Sequence, residues 1–141
     1  MSRISRIMFV ISLASIAAPV SLLAGTTVRE GMWRVTSTTE MPGSSMKLKP
    51  VTLDKCVSKE DAADPEKSLP QGPGKGCKFS DYKADGNKVT WKMDCPEPTP
   101  VTGSGVLTYE SDSAYKAVLK LLASGHSLVM TLEGHRIGDC K

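Results

Sequence analysis

Between Cys77 and Cys95 the chain reads CKFSDYKADGNKVTWKMDC, and this stretch limits the fold more sharply than any other. Two runs alternate polar and apolar residues with period two, the pattern of half-buried β-strands. Asp85, Gly86 and Asn87 lie between them. Residues of these types tolerate the positive φ of a tight hairpin turn, so the stretch predicts an antiparallel hairpin. Val89, Trp91, Met93 and Cys95 then share one face, and Thr90, Lys92 and Asp94 take the other. A half-buried hairpin accounts for both arms with no ligand.

The same alternation recurs along the chain. The run GMWRVTSTTE, Gly31–Glu40, places Trp33 and Val35 on one side, with β-branched residues that suit a pleated surface. Pro42 and Gly43 break it, and a short strand follows over residues 51–54. Strands are also expected over residues 103–110, with Val106, Leu107 and Tyr109, and from His126 onward, with Leu128, Met130 and Leu132 inward. Trp33 and Trp91 are expected to be buried. Residues 113–123 read two ways. Their propensity favours helix, whereas a strand puts Tyr115, Ala117, Leu119 and Leu121 on one face and lets Ser124-Gly125-His126 turn into the next strand. We take the strand. One short helix is expected near KEDAA, with Ser58 as its cap and Pro65 as its end. The fold class is therefore mainly β: a small antiparallel sheet, sandwich or half-barrel of six to seven strands with one short helix, stapled by disulfides.

The start of the chain belongs to a different class of segment. Arg3 and Arg6 precede an apolar run over residues 7–20, and small residues Ala24 and Gly25 close it. Basic start, short apolar middle and small-residue end read as a secretory signal peptide over residues 1–24. The run is too short for a spanning helix, which needs about 20 apolar residues, and Pro19 breaks it. One β-rich domain would then occupy residues 25–141, a length that supports a single core. Export of this kind leads to the periplasm, with no membrane span after cleavage. Of the 18 Lys and Arg residues only Arg3 and Arg6 are lost, leaving 16 against 15 acidic residues and a net charge of +1. The basic residues are scattered, which argues against a nucleic-acid partner.

Cys56, Cys77, Cys95 and Cys140 all remain. An even count in an exported chain implies disulfides. No C-x-x-C occurs, so redox chemistry of the thioredoxin type and zinc binding both lack their local signature. The expected pairing is Cys56–Cys77, closing a glycine-rich loop, with Cys95–Cys140. Its rival comes from the hairpin. A three-residue loop pairs Ala84 with Lys88, sets Cys77 opposite Cys95, and leaves Cys56 for Cys140.

Catalytic motifs are absent from the sequence: there is no H-E-x-x-H, G-x-S-x-G or phosphate-cradling glycine loop. Methionine is the one abundant soft ligand, and thioethers select Cu(I). Met41 and Met46 with His126 and His135 therefore define an alternative reading as a periplasmic copper-binding protein. Against it, core methionines ordinarily fill gaps.

Taken as a set, GMWRVTSTTEMPG, CVSKEDAADP, the hairpin, GSGVLTYESDSAY and the closing GHRIGDCK, with its Arg136-x-Gly138-x-Cys140 pattern, resemble the bacterial domain-of-unknown-function family 3617 over nearly all of residues 25–141. The resemblance implies a small exported protein of the Gram-negative envelope with no established activity, so no catalytic residue and no cofactor carries over. The leading expectation is a non-catalytic envelope protein that binds an envelope protein or a small apolar ligand.

Overall fold

The computed structural model describes residues 28–45, 48–70 and 76–141. The signal-peptide reading and Met46 lie outside the described residues. Seven strands follow in chain order: β1 (Gly31–Glu40), β2 (Val51–Val57), β3 (Lys78–Asp85), β4 (Lys88–Cys95), β5 (Val101–Ser111), β6 (Ala114–Ala123) and β7 (His126–Gly138). Two short helices, α1 (Lys59–Ala63) and α2 (Pro65–Ser68), stand between β2 and β3. The strands form one open antiparallel sheet in the order β2-β1-β7-β6-β5-β4-β3. From β3 to β7 each strand hydrogen-bonds to the next in sequence, so short turns set most of the topology. β1 then docks on the far side of β7, and β2 closes the row.

One face of the sheet carries the core. Period-two alternation places Trp33, Val89, Trp91, Met93, Cys95, Val101, Leu107, Tyr109, Ala117, Leu119, Leu121 and Leu132 there, all buried. Both tryptophans are nearly inaccessible, at 1% for Trp33 and 2% for Trp91, as the alternation requires. Two glycines make room for rings across the strand pairs. Trp91 lies opposite Gly105, where an added Cβ would come within 2.1 Å of the indole. Tyr115 lies opposite Gly134, where it would come within 2.3 Å of the phenol ring. The outer face is solvated and cross-linked by charge. Arg34 donates from Nε and Nη2 to the two carboxylate oxygens of Asp54, each at 2.8 Å, and Lys116 meets Glu133 at 2.7 Å.

Residues 114–123 form a strand, β6, despite their helical propensity, because both flanks offer hydrogen-bonding partners and one face enters the core. Ser124 and Gly125 make the turn that follows, with φ of 50° and 77°. The helical region is richer than the single helix expected. Ser58 caps α1 by accepting from the Asp61 amide at 3.0 Å, and α1 stops before Pro65 as expected. Pro65 then opens α2 at its first position, where a missing N–H has no cost. Asp64 caps this second helix by accepting from the Glu66 amide at 3.2 Å.

The disulfides correct the favoured pairing. Cys77 bonds Cys95 and Cys56 bonds Cys140. The hairpin register explains the first bond. Its turn has two residues, Gly86 and Asn87, since Asp85 pairs with Lys88, and not the three expected. An irregularity between Ser80 and Lys83 then inserts one extra residue, so Lys78 faces Asp94 and the next pair outward is Cys77 with Cys95. Asp81 sits in this bulge with φ of 53°, a conformation Asp tolerates, and Lys92 Nζ holds its carboxylate at 2.7 Å. The second bond follows from β1, since Met32 pairs with Cys56 on one side and Gly138 on the other. Cys140 therefore reaches Cys56 across the end of β1. The chain after Cys56 is anchored by its own caps and by Leu69, which is 3% exposed, so that stretch has other means of ordering than a Cys56–Cys77 bond.

Candidate functional site

The segment carrying α1 and α2 crosses the core face from the β2 edge toward the β3 edge. Leu69 joins the core, and Tyr82 on β3 is pushed above the usual phenol range by burial and then by the charges of Glu66 and Asp64. On the other side, toward β2, the crossing leaves a pocket of ≈ 430 Å³. Leu53, Val35, Met130, Leu132 and Leu107 line it from four of the strands that hold it, with Tyr115 on β6 between β7 and β5. Its span from β2 to β5 crosses four interstrand gaps, about 19 Å of sheet.

The walls are mostly apolar, and polar groups stand at a few points. Trp33 uses its Nε1 to donate to the Arg29 carbonyl at 2.9 Å, which leaves the ring as an apolar wall. Its centroid is 5.6 Å from that of Tyr115 in a tilted pair. Burial, and then the neighbouring Tyr109, pushes the Tyr115 phenol up to about 12. Burial also raises Tyr109, opposed by its hydrogen bond with Ser68, and the two tyrosines are cross-strand partners. Both phenols are therefore neutral at any ordinary pH. Ser37, Lys55, Asp61 and Ser68 supply the remaining polar lining. Lys55 is exposed and forms no ion pair among the described residues.

The three candidate copper residues among the described residues, Met41, His126 and His135, are not gathered. His126 begins β7 and His135 lies near its other end, about 30 Å along the strand by the usual rise per residue. Their odd separation also turns them to opposite faces of the sheet. Met41 follows the end of β1, toward the His126 end of the neighbouring strand. Among the described residues no group of three or more His, Cys, Asp and Glu side chains could hold a metal ion. The four cysteines are all in disulfides. Alternation in the sequence foretold the inward positions of Trp33, Val35, Met130 and Leu132. The pocket itself went unseen, because its outer boundary is Leu69 and Pro70 in a stretch whose path over the sheet has no sequence period.

Fold and site together define a class: a disulfide-stapled, open antiparallel β domain whose covered face is partly filled by its own side chains and partly hollow. The family model described as a protein of unknown function (DUF3617) matches residues 28–140, and the chain belongs to that family. No curated protein and no solved structure matches the chain. Among the described residues no helix is long and apolar enough to cross a membrane.

Proposed function

We propose that this is a non-catalytic protein of an oxidising compartment, the periplasm, and that it holds an apolar small molecule in the pocket beneath the α1–α2 crossing. The observation that carries the reading is the pocket itself: ≈ 430 Å³ of space bounded mainly by apolar side chains. That volume lies within the usual range for small-molecule sites, about 300–1,000 Å³. The two disulfides are compatible with export. A lining of leucine, methionine and neutral aromatic side chains suits hydrocarbon, and polar groups placed as Ser37, Lys55 and Asp61 are suit a ligand with one polar end.

Native mass spectrometry of the protein recovered from its own cells tests the reading. The expected result is a bound apolar molecule in one-to-one ratio, reduced in Met130→Phe, which narrows the pocket. A wild-type protein that is ligand-free and takes up no long-chain alkyl compound on incubation would refute it.

A further inference from the structure

We infer that the Tyr115 hydroxyl is a hydrogen-bond donor for the pocket's occupant, so that the apolar ligand carries an uncharged acceptor oxygen, the carbonyl of an ester or a ketone, within its reach. This inference rests on the pocket reading above. Trp33, Tyr109 and Tyr115 each bring a polar tip to the cavity wall. Trp33 donates its Nε1–H to the Arg29 carbonyl at 2.9 Å. Tyr109 is tied to Ser68 by a hydrogen bond. The Tyr115 hydroxyl has no hydrogen-bond partner among the described residues, although burial dominates its surroundings. Buried phenols ordinarily find a partner. One on the wall of a cavity can find it in the occupant.

The position of the ring decides where that hydroxyl stands. Tyr115 on β6 lies opposite Gly134 on β7. A Cβ on Gly134 would meet Cε1 at 2.3 Å and Cζ at 2.4 Å, closer than Cδ1 at 2.9 Å. The hydroxyl end of the ring therefore lies over β7, and the oxygen, one bond beyond Cζ, stands on the side of β1. There Gly134 pairs with Val35, and Val35 with Leu53 on β2. Val35 and Leu53 both line the pocket, and the row from Tyr109 through Tyr115, Gly134 and Val35 to Leu53 contains no charged residue. Lys55 and Asp61, the charged residues of the lining, lie beyond Leu53 on β2 and on α1. An ion held at Tyr115 would exchange its water for one hydrogen bond with no countercharge in that row, which is unfavourable. A neutral oxygen gives up less hydration, and one donor satisfies it. Burial holds the phenol protonated up to about 12, so it can donate at any ordinary pH.

Paired titrations test the inference, one with a straight-chain ketone whose carbonyl is mid-chain and one with the alkane of equal length. Calorimetry compares wild-type protein with Tyr115→Phe. Phenylalanine keeps the ring over Gly134 and removes only the oxygen, and thermal unfolding serves as the control for folding. The ratio of ketone to alkane affinity should fall about 10-fold in the variant, the effect of leaving one hydrogen bond unmade in a buried site. The infrared carbonyl stretch of the bound ketone should also lie at lower wavenumber in the wild type than in the variant, because a donated hydrogen bond weakens the C=O bond. An unchanged affinity ratio, or the same carbonyl stretch in both proteins, overturns the inference, and the pocket reading stands as long as both compounds bind. If neither compound binds the wild type, the pocket reading fails and the inference with it.

Discussion

The two ends of the sheet use the same alternation and arrive at different interiors. At the β3–β4–β5 end, Val89, Trp91, Met93 and Cys95 are all 3% exposed or less, and Gly105 receives the Trp91 ring. The staple there is internal, with Cys95 fully buried. At the β2–β1–β7 end, the inward-facing Val51 and Leu53 of β2 remain open, and a cavity lies beneath. The staple there, Cys56–Cys140, is exposed and ties a terminal residue to an edge strand. Alternation therefore decides which side chains face inward but not whether they meet a partner. That depends on what crosses the face, and α1–α2 covers the two ends unequally.

Removing the staples breaks the comparison most strongly. Cys56 and Cys140 are 84 residues apart and Cys77 and Cys95 are 18 apart. In the chain-entropy model these bonds contribute about 4.5 and about 3 kcal/mol. Cys56→Ser with Cys140→Ser should therefore lower stability to denaturant more than Cys77→Ser with Cys95→Ser. Accessibility runs with the same bond, so mild reductant followed by alkylation and peptide mapping should label Cys56 and Cys140 first.

Side-chain truncation sharpens the contrast between filled and hollow. Trp91→Ala should cost about 3–5 kcal/mol, since its ring is enclosed by neighbours. Leu53→Ala should cost less than about 1 kcal/mol, because half of that side chain already meets solvent. Chemical denaturation of both variants provides the values, and similar losses would mean that the pocket end is as tightly packed as the other.

Smaller than the loss of either staple or of Trp91 is a pH dependence at the pocket wall. Burial raises the Tyr115 phenol to about 12, against about 10 for an unfolded chain. The folded state then keeps a proton that the unfolded state loses, so stability is fully present below pH 10 and falls between about 10 and 12. The loss from this group is roughly 2–3 kcal/mol. Tyr115→Phe should flatten that part of the denaturation profile, and phenolate absorbance follows the ionisation directly.

Much of the fold was legible because each strand carries its own evidence of facing: Trp33 and Val35, Val89 to Cys95 by twos, Leu128 to Leu132 by twos. The strand at residues 114–123 needed more than propensity, since only neighbouring strands make Ala117 and Leu119 more stable extended than helical. The disulfide pairing was misjudged because the stretch after Cys56 was expected to need a bond of its own, whereas the capped helices α1 and α2 and buried Leu69 order it. The hairpin register did point to Cys77–Cys95, and a two-residue turn with a one-residue bulge at Asp81 reproduces the register expected of a three-residue turn. The Arg136-x-Gly138-x-Cys140 pattern acquires a physical meaning only in three dimensions. Arg136 Nε donates to the Glu30 carbonyl at 2.7 Å and its guanidinium pairs with Asp139. A Cβ on Gly31 would meet the Gly138 carbonyl at 2.5 Å, so the two strand ends can approach only because Gly31 lacks one. The candidate site was least legible, because a cavity is made by what fails to fill it.

The two tryptophans allow the central claim to be tested within one molecule, since Trp33 lines the pocket and Trp91 does not. The most direct measurement is fluorescence titration of Trp91→Phe, which retains only Trp33, with a straight-chain alkyl carboxylate below its micellar concentration. The account predicts a saturable one-to-one change in Trp33 emission, lost in the added presence of Met130→Phe, and little response from Trp91 in the matching Trp33→Phe protein. An unsaturable drift, or equal responses from the two tryptophans, would contradict it.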